Sequence, residues 1–117
     1  MSHDTLNELT ARLRQFAAER DWERFHTPKN LAMAVTAEAG ELAAEFQWLE
    51  GPASLGLGAE HLARVRDEAA DVCIYLVRLA DRLGFDLVAA ANAKIDRNEV
   101  RYPADRVRGQ SKKYDEY

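Results

Sequence analysis

The apolar residues of this 117-residue chain recur at intervals of three and four positions along separate segments. That spacing places them on one face of an α-helix, whereas the side chains of a strand alternate every second residue. The clearest segment begins near Ala59 and ends before Gly84, a residue suited to the left-handed conformation that follows a helix. Its apolar stripe comprises Leu62, Val65, Ala69, Val72, Leu76, Leu79 and Leu83. The sequence therefore predicts an all-α protein.

Capping residues mark the ends of two helices that precede this segment. A first helix can be capped by Asp4 or Thr5 and is expected to end near Asp21. The pair Thr27-Pro28 suits the start of a second helix, because a proline at the first helical position gives up no intrahelical hydrogen bond. We expect this second helix to run to about residues 48–49.

A fourth helix is predicted after the long third one. Asp86 can cap it, and it is expected to cover Leu87 to about Val100. The glycine- and proline-rich segment 50–58 is predicted to be a loop, and the tail from Ala104 to be coil or a short docked segment. We expect a single domain over residues 1–117, folded as a four-helix bundle. So short a bundle leaves apolar surface for a second subunit, which predicts a homo-oligomer.

Charge and composition exclude several classes of partner. The chain has 20 acidic residues and 16 lysines and arginines, a formal net charge of −4, whereas nucleic-acid binders usually carry a clustered basic face. No apolar run approaches the ~18 residues of a membrane span, and the first residues lack the order of a signal peptide. Cys73, the one cysteine, lies in an apolar run and is expected to be a buried, unreactive thiol. We expect a cytoplasmic protein that binds neither nucleic-acid polymers nor membranes.

The second predicted helix carries three carboxylates among residues that are almost all apolar or small, in the segment 37–49. At about 100° per residue, Glu38 and Glu45 lie on the same side as the apolar positions and should point inward. Glu41 is one turn from Glu38, so the three acids form one patch. A helix that is otherwise ready to pack therefore carries inward negative charge.

A second acidic pair lies in the third helix. Glu68 and Asp71 stand three residues apart beside the apolar stripe, and Tyr75 continues the same edge. Like charges one turn apart destabilise a helix, and an inward carboxylate without a counter-charge is costly or becomes protonated. Few lysines or arginines are placed to compensate these acids, so we expect a cation. Oxygen ligands favour Mg²⁺ or Mn²⁺ over zinc, whose usual cysteine and histidine ligands are missing.

Two alternatives to this metal site can be weighed from the residues alone. Each acidic pair could lie on a solvated helix edge, which is the usual explanation of an isolated Glu-x-x-Glu, but five acids in two short clusters favour a ligand site. A di-iron carboxylate bundle needs a Glu-x-x-His pair from each of two helices. Only Glu23 and His26 have that spacing, and they lie at a junction between helices.

The order E-x-x-E, an interval and then E-x-x-D resembles the MazG-like all-α nucleoside triphosphate pyrophosphohydrolases. Here it reads Glu38-Ala-Gly-Glu41 and Glu68-Ala-Ala-Asp71. Three longer stretches are similar to the dCTP pyrophosphatase branch of that superfamily: "FAAERDWERFHTPKNLAMAVTAEAGELAAEFQW", "DEAADVCIYLVRLADRLGFDL" and "AKIDRNEVRYPADR". The resemblance covers nearly the whole chain from Phe16 to the tail, and this combination is specific.

The resemblance implies Mg²⁺-dependent hydrolysis between the α- and β-phosphates of a nucleoside triphosphate, with dCTP-like substrates first and other deoxynucleotides second. It also implies a homotetramer, with a dimer as the alternative. The residues that match the family's metal-ligand positions are Glu38, Glu41, Glu68 and Asp71. Glu45 is a candidate for a further ligand or for the general base, and a supporting acid outside the ligand set is the equal alternative.

Further positions match the family's nucleotide-binding residues. Lys94 and Asn98 fall in a K-x-x-x-N-x-x-R-Y-P segment and lie four apart on one helical face. This suits a phosphate contact by Lys94, which we also count as catalytic, and a hydrogen bond from Asn98 to base or sugar. The aromatic residues that match positions near the nucleotide, where rings can stack on a base, are Trp22, His26, Trp48 and Tyr75. A core or subunit contact is the alternative for either tryptophan.

A non-enzymatic alternative is a helical module that binds nucleotide without turnover, or that serves oligomerisation or regulation. Such a module has no need of four acids able to hold Mg²⁺. The complete acid set in this sequence therefore favours the hydrolase.

Overall fold

The computed structural model describes residues 4–111, and every regular element in that range is helical. The prediction of an all-α protein is confirmed. The elements are α1 (Leu6–Glu19), a 3₁₀ helix (Glu23–Phe25), α2 (Pro28–Ala44), a second 3₁₀ helix (Gly51–Leu55), α3 (Ala59–Leu83), α4 (Leu87–Arg101) and α5 (Ala104–Val107). None of the described helices combines the length and the apolar character that crossing a membrane requires.

Three of the predicted helix starts, those of α1, α2 and α4, are confirmed by side-chain caps. Thr5 Oγ1 accepts a hydrogen bond from Glu8 N at 3.1 Å and donates one to the Glu8 carboxylate at 2.9 Å. Thr27 caps α2 in the same way, with Pro28 at the first helical position. The Asp86 carboxylate accepts from Ala89 N at 3.0 Å at the start of α4. Each cap satisfies a backbone N–H that the first helical turn leaves without a partner.

One predicted helix end needs correction, and the predicted loop and the start of the tail contain short helices. The second helix ends at Ala44 rather than at residues 48–49, because the chain tightens there into turns such as that closed by Phe46 N and Ala43 O at 3.0 Å. The first helix ends at Glu19, before Asp21 turns to a φ of 54°. The loop 50–58 contains a 3₁₀ helix, and the start of the tail forms α5, while residues beyond 111 lie outside the described part of the chain.

The chain forms two compact units that divide after Gly84, whose φ of 74° ends α3 as predicted. In the first unit, α3 packs against both α1 and α2. The second unit contains α4 and α5. The prediction that four helices form one bundle in a single domain stays a prediction.

The fully buried apolar core of the described chain is small. It comprises Ala17 of α1, Leu31 of α2, and Val77 and Ala80 of α3. Cys73 is exposed, so the prediction of a buried thiol is wrong. The face of α3 that is buried at Val77 is open to solvent at Cys73, one turn earlier, although the local sequence is apolar at both positions.

Candidate functional site

The packing of α2 against α3 brings three predicted metal ligands together. Glu38 and Glu41 lie one turn apart on α2, and Glu68 lies on α3. One carboxylate oxygen from each of these residues falls in a group whose members all lie within 4.8 Å of one another. We call Glu38, Glu41 and Glu68 the acid cluster.

The acid cluster contains buried charge that no hydrogen bond compensates. Glu38 Oε2 and Glu68 Oε2 are both buried and have no hydrogen-bond partner among the described residues. Burial, followed by the negative charges of Glu41 and Asp71, raises the pKa of Glu38 above its usual value. Burial and the interaction with Glu41 likewise raise the pKa of Glu68. Both pKa shifts mean that ionising Glu38 or Glu68 beside the other acids of the cluster is unfavourable.

This donor set fits a divalent cation. Carboxylate oxygens are the ligands that hard ions such as Mg²⁺ and Mn²⁺ prefer. A cation bound between α2 and α3 would give the two orphaned oxygens a partner and would relieve the repulsion that raises the two pKa values. The described residues thus include an acidic site able to hold a divalent metal ion.

Asp71, the fourth predicted ligand, lies at the edge of this arrangement. It follows Glu68 by three residues on α3, and its charge contributes to the raised pKa of both Glu38 and Glu68. Its oxygens are outside the group of three that converges within 4.8 Å. Asp71 lines the neighbouring cavity instead, and so connects the acid cluster to it.

Glu45, the candidate further ligand or base, is engaged elsewhere. Its Oε1 accepts a hydrogen bond from Arg64 Nε at 3.0 Å, and its backbone carbonyl lies 2.7 Å from His61 Nε2. It is not part of the acid cluster. These contacts join the end of α2 to the start of α3, which favours a structural ion pair for Glu45.

A cavity of about 400 Å³ opens next to Asp71 in the first unit. Trp22, His26 and Tyr75, three of the predicted nucleotide-binding residues, all line it. The Trp22 ring meets the Phe16 ring edge to face, with centroids 5.7 Å apart. Apolar side chains complete much of the wall, namely Leu9, Leu13 and Ile74. A largely apolar cavity lined by aromatic rings and a few polar groups suits the stacking of a base.

The other predicted nucleotide residues are placed differently. Trp48 is 89% exposed and is not among the residues that line the cavity. Lys94 and Asn98 lie one turn apart on α4, in the second unit. The roles assigned to these three residues stay predictions.

Sequence analysis missed a network of ion pairs beside the cavity, which we call the arginine network. Asp81 accepts from Arg14 Nη2 at 2.6 Å and from Arg78 Nη1 at 3.2 Å, and Glu23 accepts from Arg82 Nη1 at 3.0 Å. Hydrogen bonding with Arg14 is the main cause that lowers the pKa of Asp81. A signal was present, because Arg78 and Arg82 follow Tyr75 at three and seven residues along α3 and so share its face.

Comparison with known proteins gives consistent results. Residues 33–117 match the MazG-like family. The chain is 46% identical over 114 residues to dCTP pyrophosphatase 1 of Homo sapiens, covering 96% of this chain and 67% of the human protein. It is 44% identical to dCTP pyrophosphatase 1 of Bos taurus, covering 97% of this chain and 68% of the bovine one.

A solved structure with the same fold is the crystal structure of a pyrophosphatase from Archaeoglobus fulgidus. The two superpose with a TM-score of 0.80 at 36% identity, covering 88% of this chain and 96% of the archaeal one. The acidic motifs on α2 and α3, the all-helical fold and these similarities agree with one another. This chain belongs to the MazG-like family.

Proposed function

We propose that this protein is a Mg²⁺-dependent nucleoside triphosphate pyrophosphohydrolase that cleaves dCTP, or a modified dCTP, to the monophosphate and pyrophosphate. The observation that carries the proposal is the acid cluster, whose buried carboxylate oxygens lack partners beside a cavity lined with aromatic rings. The similarity to two dCTP pyrophosphatases supports the choice of substrate.

Each part of the site has a role in this proposal. Glu38, Glu41 and Glu68 would hold the metal, with Asp71 as a fourth candidate ligand beside the cavity. When bound, Mg²⁺ neutralises the negative charge that develops on the phosphates and makes water a better nucleophile. Mn²⁺ has the same preference for oxygen ligands and is expected to substitute.

The cavity holds the base in the same proposal. Trp22 and Tyr75 provide aromatic surface for stacking, worth about 1–3 kcal/mol per base by analogy with single-stranded nucleic acids. From the family resemblance alone, we also propose a phosphate contact for Lys94 and a hydrogen bond from Asn98 to the base or sugar, through an amide that both donates and accepts. The triphosphate then extends from the cavity past Asp71 towards the acid cluster.

We further propose that the enzyme is a cytoplasmic homo-oligomer, a tetramer in preference to a dimer. The support is exposed apolar surface: Trp48 and Leu55 are 89% and 92% exposed, whereas the buried core of the described residues is small. Large aromatic and aliphatic side chains of this kind are typical of surfaces that a subunit covers. Light scattering at micromolar concentration tests this, and a monomer would refute it.

The substrate assignment is tested by measuring pyrophosphate release from a panel of canonical and modified deoxynucleoside triphosphates, with Mg²⁺, Mn²⁺ or EDTA present. We expect release to need the metal and to be fastest, as kcat/KM, with dCTP or a modified dCTP. Tight dCTP binding with no pyrophosphate release would instead support the non-catalytic binding module. Release of orthophosphate would contradict cleavage between the α- and β-phosphates.

A further inference from the structure

Arg78 is a buried cation in the wall of the cavity. Arg78 is only 2% exposed, and it lines the cavity together with His26. Arg78 Nε donates a hydrogen bond to His26 Nδ1 across 3.3 Å. Charged residues are almost never fully buried without a specific set of partners, so this contact needs an explanation.

The donor and acceptor roles in this contact are fixed by chemistry. A guanidinium group only donates hydrogen bonds and does not lose its proton in a protein. His26 Nδ1 must therefore accept, and a ring nitrogen that accepts carries no proton. The proton of the neutral ring then lies on Nε2, which makes no hydrogen bond within residues 4–111.

Three members of the arginine network, namely Asp81, Glu23 and Arg82, contact Arg78 or His26 and hold them in place. Arg78 Nη1 donates to Asp81 Oδ2 at 3.2 Å, and its Nη2 lies 3.6 Å from Glu23 Oε1. Arg82 Nε donates to the backbone carbonyl of His26 at 3.1 Å. The histidine is thus anchored through its backbone and through one ring nitrogen, which leaves the other nitrogen as its available polar group.

The electrostatic surroundings also favour a neutral imidazole. Burial, followed by the positive charge of Arg78, lowers the pKa of His26 below its usual 6.5, and Arg82 adds to this while Glu23 opposes it. The other charged groups that line the cavity are Arg12 and Asp71, one of each sign. These surroundings therefore favour the neutral form of His26.

We propose that Arg78 is a positioning residue that fixes His26 as the tautomer protonated on Nε2, so that the cavity offers a neutral N–H donor to the bound base. The group recognised is an uncharged acceptor, a carbonyl oxygen or ring nitrogen of a nucleobase. A phosphate is a poorer partner for this donor, because the imidazole ring itself carries no charge. This inference rests on the proposed function for the identity of the ligand.

The tautomer can be measured in the free wild-type protein, independently of any turnover. Long-range ¹H–¹⁵N NMR distinguishes a protonated from an unprotonated ring nitrogen, and the signals of His26 are assigned against His26→Asn. We expect one unprotonated Nδ1 and one protonated Nε2 at pH 7. A proton on Nδ1, or averaged shifts for the two nitrogens, would overturn the proposal.

Variants then connect the tautomer to ligand binding, with dCMP as the probe. Arg78→Met should give averaged ring shifts and weaken dCMP binding by at most about fivefold, the effect of losing one whole hydrogen bond. Arg14→Met is the matched control: it removes another guanidinium from Asp81 but does not line the cavity, so both readouts should stay as in the wild type. If Arg78→Met does not fold, Arg78→Gln retains an N–H donor and should retain the tautomer.

An Arg78→Met variant that keeps the Nε2 proton and the wild-type dCMP affinity would contradict the proposal. So would Arg14→Met changing the tautomer as much as Arg78→Met, since the effect would then come from the network as a whole. A fixed tautomer in a protein that releases no pyrophosphate would count against the proposed function and leave the fixing of His26 by Arg78 standing.

Discussion

Helix α3 carries acids in two opposite electrostatic environments. Asp81, in the arginine network, accepts hydrogen bonds from Arg14 and Arg78, and its pKa is lowered. Glu68, in the acid cluster, has a buried oxygen with no partner in the described chain, and its pKa is raised. Both carboxylates belong to the first unit, and of the two only Asp81 has an ion-pair partner among the described residues.

The difference separates an acid that stabilises the fold from an acid that weakens it. A paired carboxylate contributes to stability when it is ionised, whereas a buried and unpaired one lowers stability and is usually retained for a function. The acid cluster therefore has the charge and the donor atoms that suit a cation, whereas the arginine network stabilises one wall of the cavity. The predictions below test this contrast from the largest expected effect to the smallest.

Removing one charge from the metal site should abolish most activity. Glu41→Gln or Asp71→Asn keeps the volume of the side chain but removes charge needed at the metal, and we expect kcat/KM for dCTP to fall roughly a hundredfold or more. Asp67→Asn, at an exposed acid beside Glu68 on α3, is the control and should leave activity unchanged. Circular dichroism should show the helical fold in all three, and near-wild-type pyrophosphate release by Glu41→Gln would refute the assignment.

Neutralising the two contrasted acids should change stability in opposite directions. Asp81→Asn weakens charged hydrogen bonds with Arg14 and Arg78 and should destabilise the fold by about 2 kcal/mol. Glu68→Gln removes an uncompensated charge and should raise the melting temperature in EDTA at pH 7. Chemical and thermal unfolding measure both, and a fall in stability for both variants would remove the contrast.

The stability gained by Glu68→Gln should depend on pH. The folded-state pKa of Glu68 lies above its usual 4.5, so the folded protein binds a proton more readily than the unfolded chain does. The cost of the ionised group is then fully present above the folded pKa and disappears as the pH falls towards 4.5. Melting temperatures of wild type and Glu68→Gln in EDTA should converge as the pH is lowered. A difference in melting temperature that increases as the pH falls would contradict this prediction.

The pair between Glu45 and Arg64 should matter least. Arg64 is largely exposed, and such pairs contribute about 0–1 kcal/mol. We expect Glu45→Gln to change kcat by less than about threefold, because its carboxylate is directed to Arg64 rather than to the acid cluster. A loss as large as that of Glu41→Gln would restore Glu45 as the general base or a further ligand.

The sequence predicted the helices and the shared face of Glu38 and Glu41 well, because both depend on local spacing. Periodicity and capping residues located α3 and α4, and the Glu-x-x-Glu spacing placed Glu38 and Glu41 on one face of α2. The features that depend on tertiary contacts were not predictable in this way. Cys73 lies in an apolar run of α3, yet its own side chain is exposed.

The arginine network shows the same limit. Glu23 and Arg14 are distant in sequence from the arginines and the aspartate of α3 that they contact. The spacing of Arg78 after Tyr75 indicates a shared helix face, but not that the face is buried. Burial of Arg78 depends on how α1 and the first 3₁₀ helix pack against α3. The spacing of residues within one helix does not predict that packing.

The central claim, that the uncompensated acids form a metal site, is tested most directly by titrating the protein with Mn²⁺ and following the free ion by electron paramagnetic resonance. We predict that wild type and Asp81→Asn reduce the free Mn²⁺ signal equally, that Mg²⁺ competes, and that Glu68→Gln binds at least about tenfold more weakly. Equal binding by Glu68→Gln and wild type, or no binding by the wild type, would contradict the account.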